Sequence, residues 1–228
     1  MKNLRTRIAV LVISFVSFLG IQTANSASLE GLSIGLGYNS SAFMGTGKET
    51  STSGAGTARI TDGNETGFFE DSVSSAFIEY NVGIVSFGVE YMLEDIKTPE
   101  NTNSQRASVE AGALKDNKVK ASFEDHTTFY ANINITESAY LKVGYVMADV
   151  ATQESLGTGG AYPNVDTDGY TIGVGVQHIA DNGIFVRLEG TVSDYDDVSA
   201  NNANEADKKV SVSNMYGAAA SLKIGKSF

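Results

Sequence analysis

The sequence predicts an all-β fold: eight antiparallel strands closed into an up-and-down barrel that crosses a membrane, with short turns at one end and long loops at the other. Three observations carry this. From Leu29 onward apolar residues recur at every second position, the spacing that puts them on one face of a strand. Tight turns alternate with long polar segments along the chain. The face opposite the apolar stripe is crowded with Gly, Ser, Thr and a few charges, which suits a narrow polar lumen better than a soluble exterior.

The first strand alternates Leu32, Ile34, Leu36 and Tyr38 with Ser33, Gly35, Gly37 and Asn39. The second sets Ala76, Ile78, Tyr80 and Val82 against Ser75, Phe77, Glu79 and Asn81, and the third sets Val85, Phe87, Val89, Tyr91 and Leu93 against Ser86, Gly88, Glu90 and Met92. In the fourth, Phe129, Ala131, Ile133 and Ile135 oppose Tyr130, Asn132 and Asn134; in the fifth, Leu141, Val143, Tyr145 and Met147 oppose Lys142, Gly144 and the less typical Val146. The sixth is regular, with Tyr170, Ile172, Val174 and Val176 against Thr171, Gly173, Gly175 and Gln177. The seventh has Ile184, Val186, Leu188 and Val192 against Arg187, Glu189, Thr191 and Ser193. The eighth runs to Phe228, with Val212, Tyr216, Ala218, Ala220, Leu222 and Ile224 opposing Ser213, Gly217, Ala219, Ser221, Lys223 and Gly225.

The connections after strands two, four and six are tight: Gly83-Ile84, Thr136-Glu137-Ser138 and Ala180-Asp181-Asn182-Gly183. The others, residues 45–72, 95–122, 150–166 and 196–209, are rich in Gly, Ser, Thr, Asn and charge and read as exposed loops. Short turns on the periplasmic side and long loops outside are the organisation of outer-membrane barrels.

Composition narrows the alternatives. With 27 acidic against 16 basic side chains and no basic run, the chain repels nucleic acid. It has no cysteine, which removes disulfides, thiolate metal sites, cysteine nucleophiles and a lipoprotein anchor. Twenty-four glycines with two prolines and no tryptophan fit a turn-rich β protein better than a helical one. At the start, Lys2, Arg5 and Arg7 precede an apolar run from Ile8 to Gly20, followed by Thr23-Ala24-Asn25-Ser26-Ala27. This reads as a secretory signal peptide over residues 1–26, cleaved to leave a single barrel domain over 27–228. The run is shorter than the roughly 20 residues of a spanning helix. Cleavage removes three of the basic residues and no acidic one, giving 13 − 27 = −14 for the mature chain.

Alternation alone does not say whether the apolar stripe faces lipid, as in a membrane barrel, or an internal ligand cavity, as in a soluble one. The aromatics favour lipid. Tyr38, Tyr91, Phe129, Tyr145, Tyr170 and Tyr216 gather towards the loop ends of the strands, while Tyr80, Phe87 and Phe228 lie near the turn ends. This is the arrangement of two interfacial belts. The alternating ending Leu222-Lys223-Ile224-Gly225-Lys226-Ser227-Phe228 completes a pattern that resembles small outer-membrane proteins of the OmpA transmembrane-domain and OmpX type over the whole mature chain. The resemblance implies a monomeric barrel of the bacterial outer membrane, in contact with lipopolysaccharide. It also implies that the barrel-assembly machinery reads Leu222, Ile224 and Phe228. Lys226 departs from that motif, where an aromatic or apolar residue is usual, and is expected to snorkel to the interface.

The opposite face carries three acids, Glu79, Glu90 and Glu189, and three bases, Lys142, Arg187 and Lys223. In a narrow interior these are expected to neutralise one another, because isolated charges there are costly. The resulting network is either a polar plug or a gate that opens when Arg187 or Lys142 exchanges partners. His126, in Phe123-Glu124-Asp125-His126-Thr127-Thr128, sits where a barrel enzyme acting on lipid A would place catalysis, but adjacency of such residues is common in loops. His178 reads as a turn or interfacial residue. The acidic groups Asp166 and Asp168, and Asp194, Asp196 and Asp197, read as solvated faces without the spacing of a Ca²⁺ loop. Gly54-Ala55-Gly56 reads as loop flexibility, and the sequons at Asn64 and Asn134 as chance. No enzyme, cofactor or metal site is expected. The expected role is structural and surface-interacting through the external loops. A narrow channel for ions or small solutes is the alternative, and a soluble secreted or periplasmic binding barrel ranks below both.

Overall fold

The computed structural model describes residues 30–51, 64–106, 114–157, 161–204 and 208–228. The expected signal peptide and Gly54-Ala55-Gly56 lie outside them. In ring order β1 (Leu32–Ser51) pairs with β2 (Asn64–Val82), which pairs with β3 (Val85–Met92). Two short strands, β4 (Ile96–Lys97) and β5 (Asn101–Arg106), continue the β3 side along β6 (Leu114–Asn134). Next come β7 (Ala139–Leu156), β8 (Val165–Ile179) and β9 (Ile184–Tyr195), then β11 (Lys208–Ser227), along which β10 (Val198–Asn201) continues β9. β11 pairs back onto β1 from Ser33↔Ser227 to Ser51↔Lys208, closing an eight-stave antiparallel barrel.

Closure is what the surroundings demand, since hydrocarbon offers no partner for an unpaired N–H or C=O. Hydrogen-bonded partners traced from Ile34 through Ile78, Val89, Phe129, Tyr145, Tyr170, Asp194 and Tyr216 return to β1 at Met44, a stagger of 44 − 34 = 10 residues. Such a stagger in an eight-stranded ring tilts the strands by about 40°. The three predicted tight turns are present and share one end of the barrel with the Ser33↔Ser227 end of the β1–β11 seam. Gly83 and Gly183 take positive φ there, 62° and 81°, which glycine adopts without steric cost.

The apolar stripe points outward. Tyr170, Val174, Ile172, Leu188 and Ile224 are 57–69% exposed, whereas Glu79, Glu90, Lys142, Arg187, Glu189 and Lys223 are all 6% or less. A soluble binding barrel needs the reverse. On β9 the outward apolar run from Ile184 to Val192 has the length of a tilted membrane-crossing strand, about 9–11 residues, and Asp194 ends it.

Two expectations are corrected. Among their described residues, the four segments expected as loops are largely strand: Gly45–Ser51 and Asn64–Phe69, for example, extend β1 and β2 as a ribbon paired from Met44↔Phe68 to Lys48↔Asn64. Apart from Phe68 and Phe69, the residues of this ribbon are polar or glycine, so it carries no hydrophobic period even though its backbone is paired. Val212, expected on the lipid side, turns inward against Val146, Tyr195 and Met215. The cause is an extra residue on β11 between Tyr216 and Ser213, with Asn214 at φ 52°, which flips the alternation. A second bulge, between Glu124 and Thr127 with Asp125 at φ 51°, does the same on β6 and brings Phe123 inside. Below the bulges the wall is apolar outside and polar inside. Above them it is apolar inside, as in a soluble β protein.

Candidate functional site

The site is the lumen, built from inward positions at mid-strand. Nearest the turns, Glu79 on β2 receives a bidentate pair from Arg187 on β9, Nη1 to Oε2 at 2.8 Å and Nη2 to Oε1 at 2.7 Å. The Tyr130 hydroxyl and the Asn132 amide also donate to Oε2, each at 3.1 Å. Arg187 spends its Nε on Gln177 at 3.0 Å, and its guanidinium lies 4.4 Å from the ring centre of Phe185. Each remaining hydrogen-bonding direction of the pair is thus largely used, the condition for keeping charge in a dry interior.

Above it lies a quartet. Lys142 on β7 donates to Glu90 at 3.0 Å and Glu189 at 2.8 Å, and Lys223 on β11 donates to the same two carboxylates at 2.6 and 2.9 Å. Ser75 donates to Glu90 at 2.8 Å and Tyr140 to Glu189 at 2.9 Å. The sequence-derived set of six is therefore brought together entire, but as two groups: Arg187 is paired with Glu79, not with Glu189 or Glu90. Tyr130 and Tyr140 complete the network. Tyr130 was placed on the lumen face by alternation but not given a role. Tyr140 was missed, although its parity with Lys142 puts it on the same face.

Asn39, held between Ser75 at 3.0 Å and Ser221 at 2.5 Å, roofs the quartet. Beyond it is a chamber of about 50 Å³ lined by Ser41, Thr128, Thr171, Thr191 and Ser193, with His126 in its wall. The chamber is closed outward by an apolar cap. Phe43, Phe69 and Phe123 stack with ring centres 5.1–6.4 Å apart, beside Val146, Tyr195 and Met215.

His126 is buried, its Nε2 3.0 Å from the Tyr195 hydroxyl across the lumen. Asp125 is instead taken by the Tyr91 hydroxyl at 2.8 Å. The bulge therefore sends histidine and carboxylate to opposite sides of the wall. That contact also explains Tyr91: it keeps the outward parity expected of an interfacial aromatic but is only 9% exposed. Tyr38, Tyr80, Phe87, Phe129, Tyr170 and Tyr216 are exposed as expected, and Tyr145 lies edge-on to Tyr170 with its hydroxyl on Asp168. Leu222, Ile224 and Phe228 face outward. Lys226 reaches the turn and donates to the Asn182 carbonyl at 3.0 Å. Asp197 accepts from the Asn214 amide at 3.2 Å and so braces the β11 bulge. Among the described residues, no group of three or more His, Asp or Glu is arranged to hold a metal ion.

No protein-family model matches the chain, and no curated protein matches it. Solved structures do. OprG from Pseudomonas aeruginosa has a TM-score of 0.47 and 10% identity over 85% of this chain and 97% of its own. Neisserial surface protein A gives 0.35 and 13% over 84% and 97%. The outer membrane protease OmpT from Escherichia coli gives 0.44 and 7% over 90% and 99%. With a lipid-facing exterior, an ion-paired interior and turns gathered at one end, the chain is a small β-barrel protein of the bacterial outer membrane.

Proposed function

We propose that the protein is a structural and surface-interaction component of the outer membrane, acting through the ribbons that stand above the lipid band. The supporting observation is a lumen blocked by ion pairs and, beyond a small chamber, by an apolar cap, joined to strands that continue well past the membrane as paired β-structure. In this reading the ribbons contact lipopolysaccharide and neighbouring surfaces, the barrel is monomeric, and the assembly machinery recognises Leu222, Ile224 and Phe228. No catalytic role is assigned, since His126 is turned away from the lipid face and from Asp125.

The test has two arms. Planar-bilayer recording of the refolded protein gives no single-channel current. On intact cells, Lys97 and Lys118 react with a membrane-impermeant amine reagent. Steady current with no surface labelling overturns the reading. One observation favours a narrow channel as a second reading: Lys142 and Lys223 each already touch both Glu90 and Glu189, so partners exchange over short distances. Current that appears in Glu189→Ala supports it.

A further inference from the structure

The outer wall is not uniformly covered. A furrow of about 600 Å³ runs up the lipid-facing side from the 135–139 turn towards Tyr38. Its sides are Val174 and Val176 on β8, Leu188 on β9 and Leu222 on β11; its floor is Gly190 and Ala220. Gly190 supplies no side chain to fill the furrow. It faces outward between Leu188 and Val192, and a Cβ built there meets nothing within 4 Å. The neighbouring side chains project by more than half their surface, so the missing side chain leaves a slot rather than a flat patch.

A second feature stands at the lower end of the same furrow. Lys226 pairs with Ile184 and His178 with Val186, so the two flank the first turn of β9 at the periplasmic edge. Both face outward: Gln177 and Lys223 take the inward parity, and Lys226 and His178 are exposed. Among the described residues of the lipid-facing wall below the aromatic row, these are the only basic side chains. Lys226 is held at that level by its bond to the Asn182 carbonyl, and an ammonium has three donors. A lysine ammonium with an imidazole beside it at headgroup depth, beneath an apolar slot, complements one ligand chemistry, a phosphodiester joined to an acyl chain.

We propose that this face holds one glycerophospholipid of the periplasmic leaflet, with an acyl chain in the furrow over Gly190 and its phosphate at Lys226 and His178. The proposal rests on the membrane placement of the barrel and is independent of its surface role. The periplasmic leaflet is the source because the basic pair lies at the turn end. Chain and headgroup act together: either alone is ordinary annular contact, whereas the two give a lipid that exchanges slowly.

Native mass spectrometry of the full barrel, taken from nanodiscs of mixed phosphatidylethanolamine and phosphatidylglycerol, reads the outcome. The wild type retains one phospholipid. Gly190→Phe and Ala220→Phe, which fill the slot, lower the retained fraction about tenfold, equivalent to about 1.4 kcal/mol. Lys226→Gln combined with His178→Gln lowers it too, and Ile78→Phe, an outward position on β2 outside the furrow lining, does not. Equal retention in wild type, Gly190→Phe and Ile78→Phe indicates unselective belt lipid, and lipid-free dimers indicate a second copy in the furrow. Either overturns the proposal. Heat-modifiable migration confirms that each variant is folded; Ala220→Phe carries the test if Gly190→Phe does not fold.

Discussion

Replacing Glu79 tests how the lumen is held together. Its side chain is 1% exposed and accepts four hydrogen bonds, two of them from Arg187. In Glu79→Ala the guanidinium stays buried with Gln177 and aromatic faces as its remaining contacts, and Tyr130 and Asn132 each lose an acceptor. Breaking one partner of such a pair costs about 3–5 kcal/mol. Glu79→Gln keeps the shape and part of the bonding and falls between wild type and alanine. The discriminating variant is the double replacement Glu79→Leu with Arg187→Met. It removes both charges and recovers most of the loss, because the penalty comes from the orphaned charge rather than from any large net attraction. Urea unfolding in lipid vesicles, followed by far-ultraviolet circular dichroism because the chain lacks tryptophan, gives the three values. Glu79→Ala within about 1 kcal/mol of wild type, the range of an exposed pair, refutes the reasoning.

Three further outcomes are expected. Gly175→Ala drives a Cβ into the Tyr140 ring and destabilises by about 1–3 kcal/mol, whereas Gly190→Ala, with open space, is close to neutral; the same urea titration compares them. Asn214→Val forces a β-branched residue into the left-handed region and costs about 1–3 kcal/mol, while Asn214→Gly retains stability, so equal losses count against a bulge held by backbone conformation. The Asp149 carboxyl, outside the lipid band, is pushed up by partial burial and then by Asp166, Asp125 and Glu124. A raised folded-state pKa contributes stability below the unfolded value and loses it as pH rises through the folded one. Asp149→Asn therefore stabilises at pH 7, and the gain vanishes below about pH 4; a pH-independent difference contradicts this.

Where the environment imposes one rule along a strand, the sequence is readable. Between the turns and the aromatic row, hydrocarbon outside and side chains inside leave only period two, so each of the six lumen charges could be assigned from parity alone. Above that row the rule reverses, and the reversal is made by single inserted residues. Val212 was misplaced because one extra residue separates it from Tyr216. The usable signal is Asp125 and Asn214, residue types that tolerate positive φ, standing inside otherwise regular strands. Pairing partners within the lumen were not legible. Parity says that Arg187 faces inward, but only the stagger of the ring decides that Glu79 on β2 rather than Glu90 on β3 lies opposite its guanidinium. Ribbon pairing above the membrane was hidden for a different reason, since apart from Phe68 and Phe69 the extensions of β1 and β2 are polar or glycine and leave little contrast to read.

The β1–β11 seam sets the order in which such a molecule can come into being. It joins Ser33 to Ser227, 227 − 33 = 194 positions apart, and Gly31 and Phe228 are tied by Gly31 N to Phe228 O at 2.9 Å. Hairpins formed early still expose two raw edges that oil will not accept. Insertion must therefore wait for the farthest-separated contact in the fold, the slowest kind to find. Until that moment unpaired edges stay exposed, and afterwards the barrel has no loose margin from which to fray.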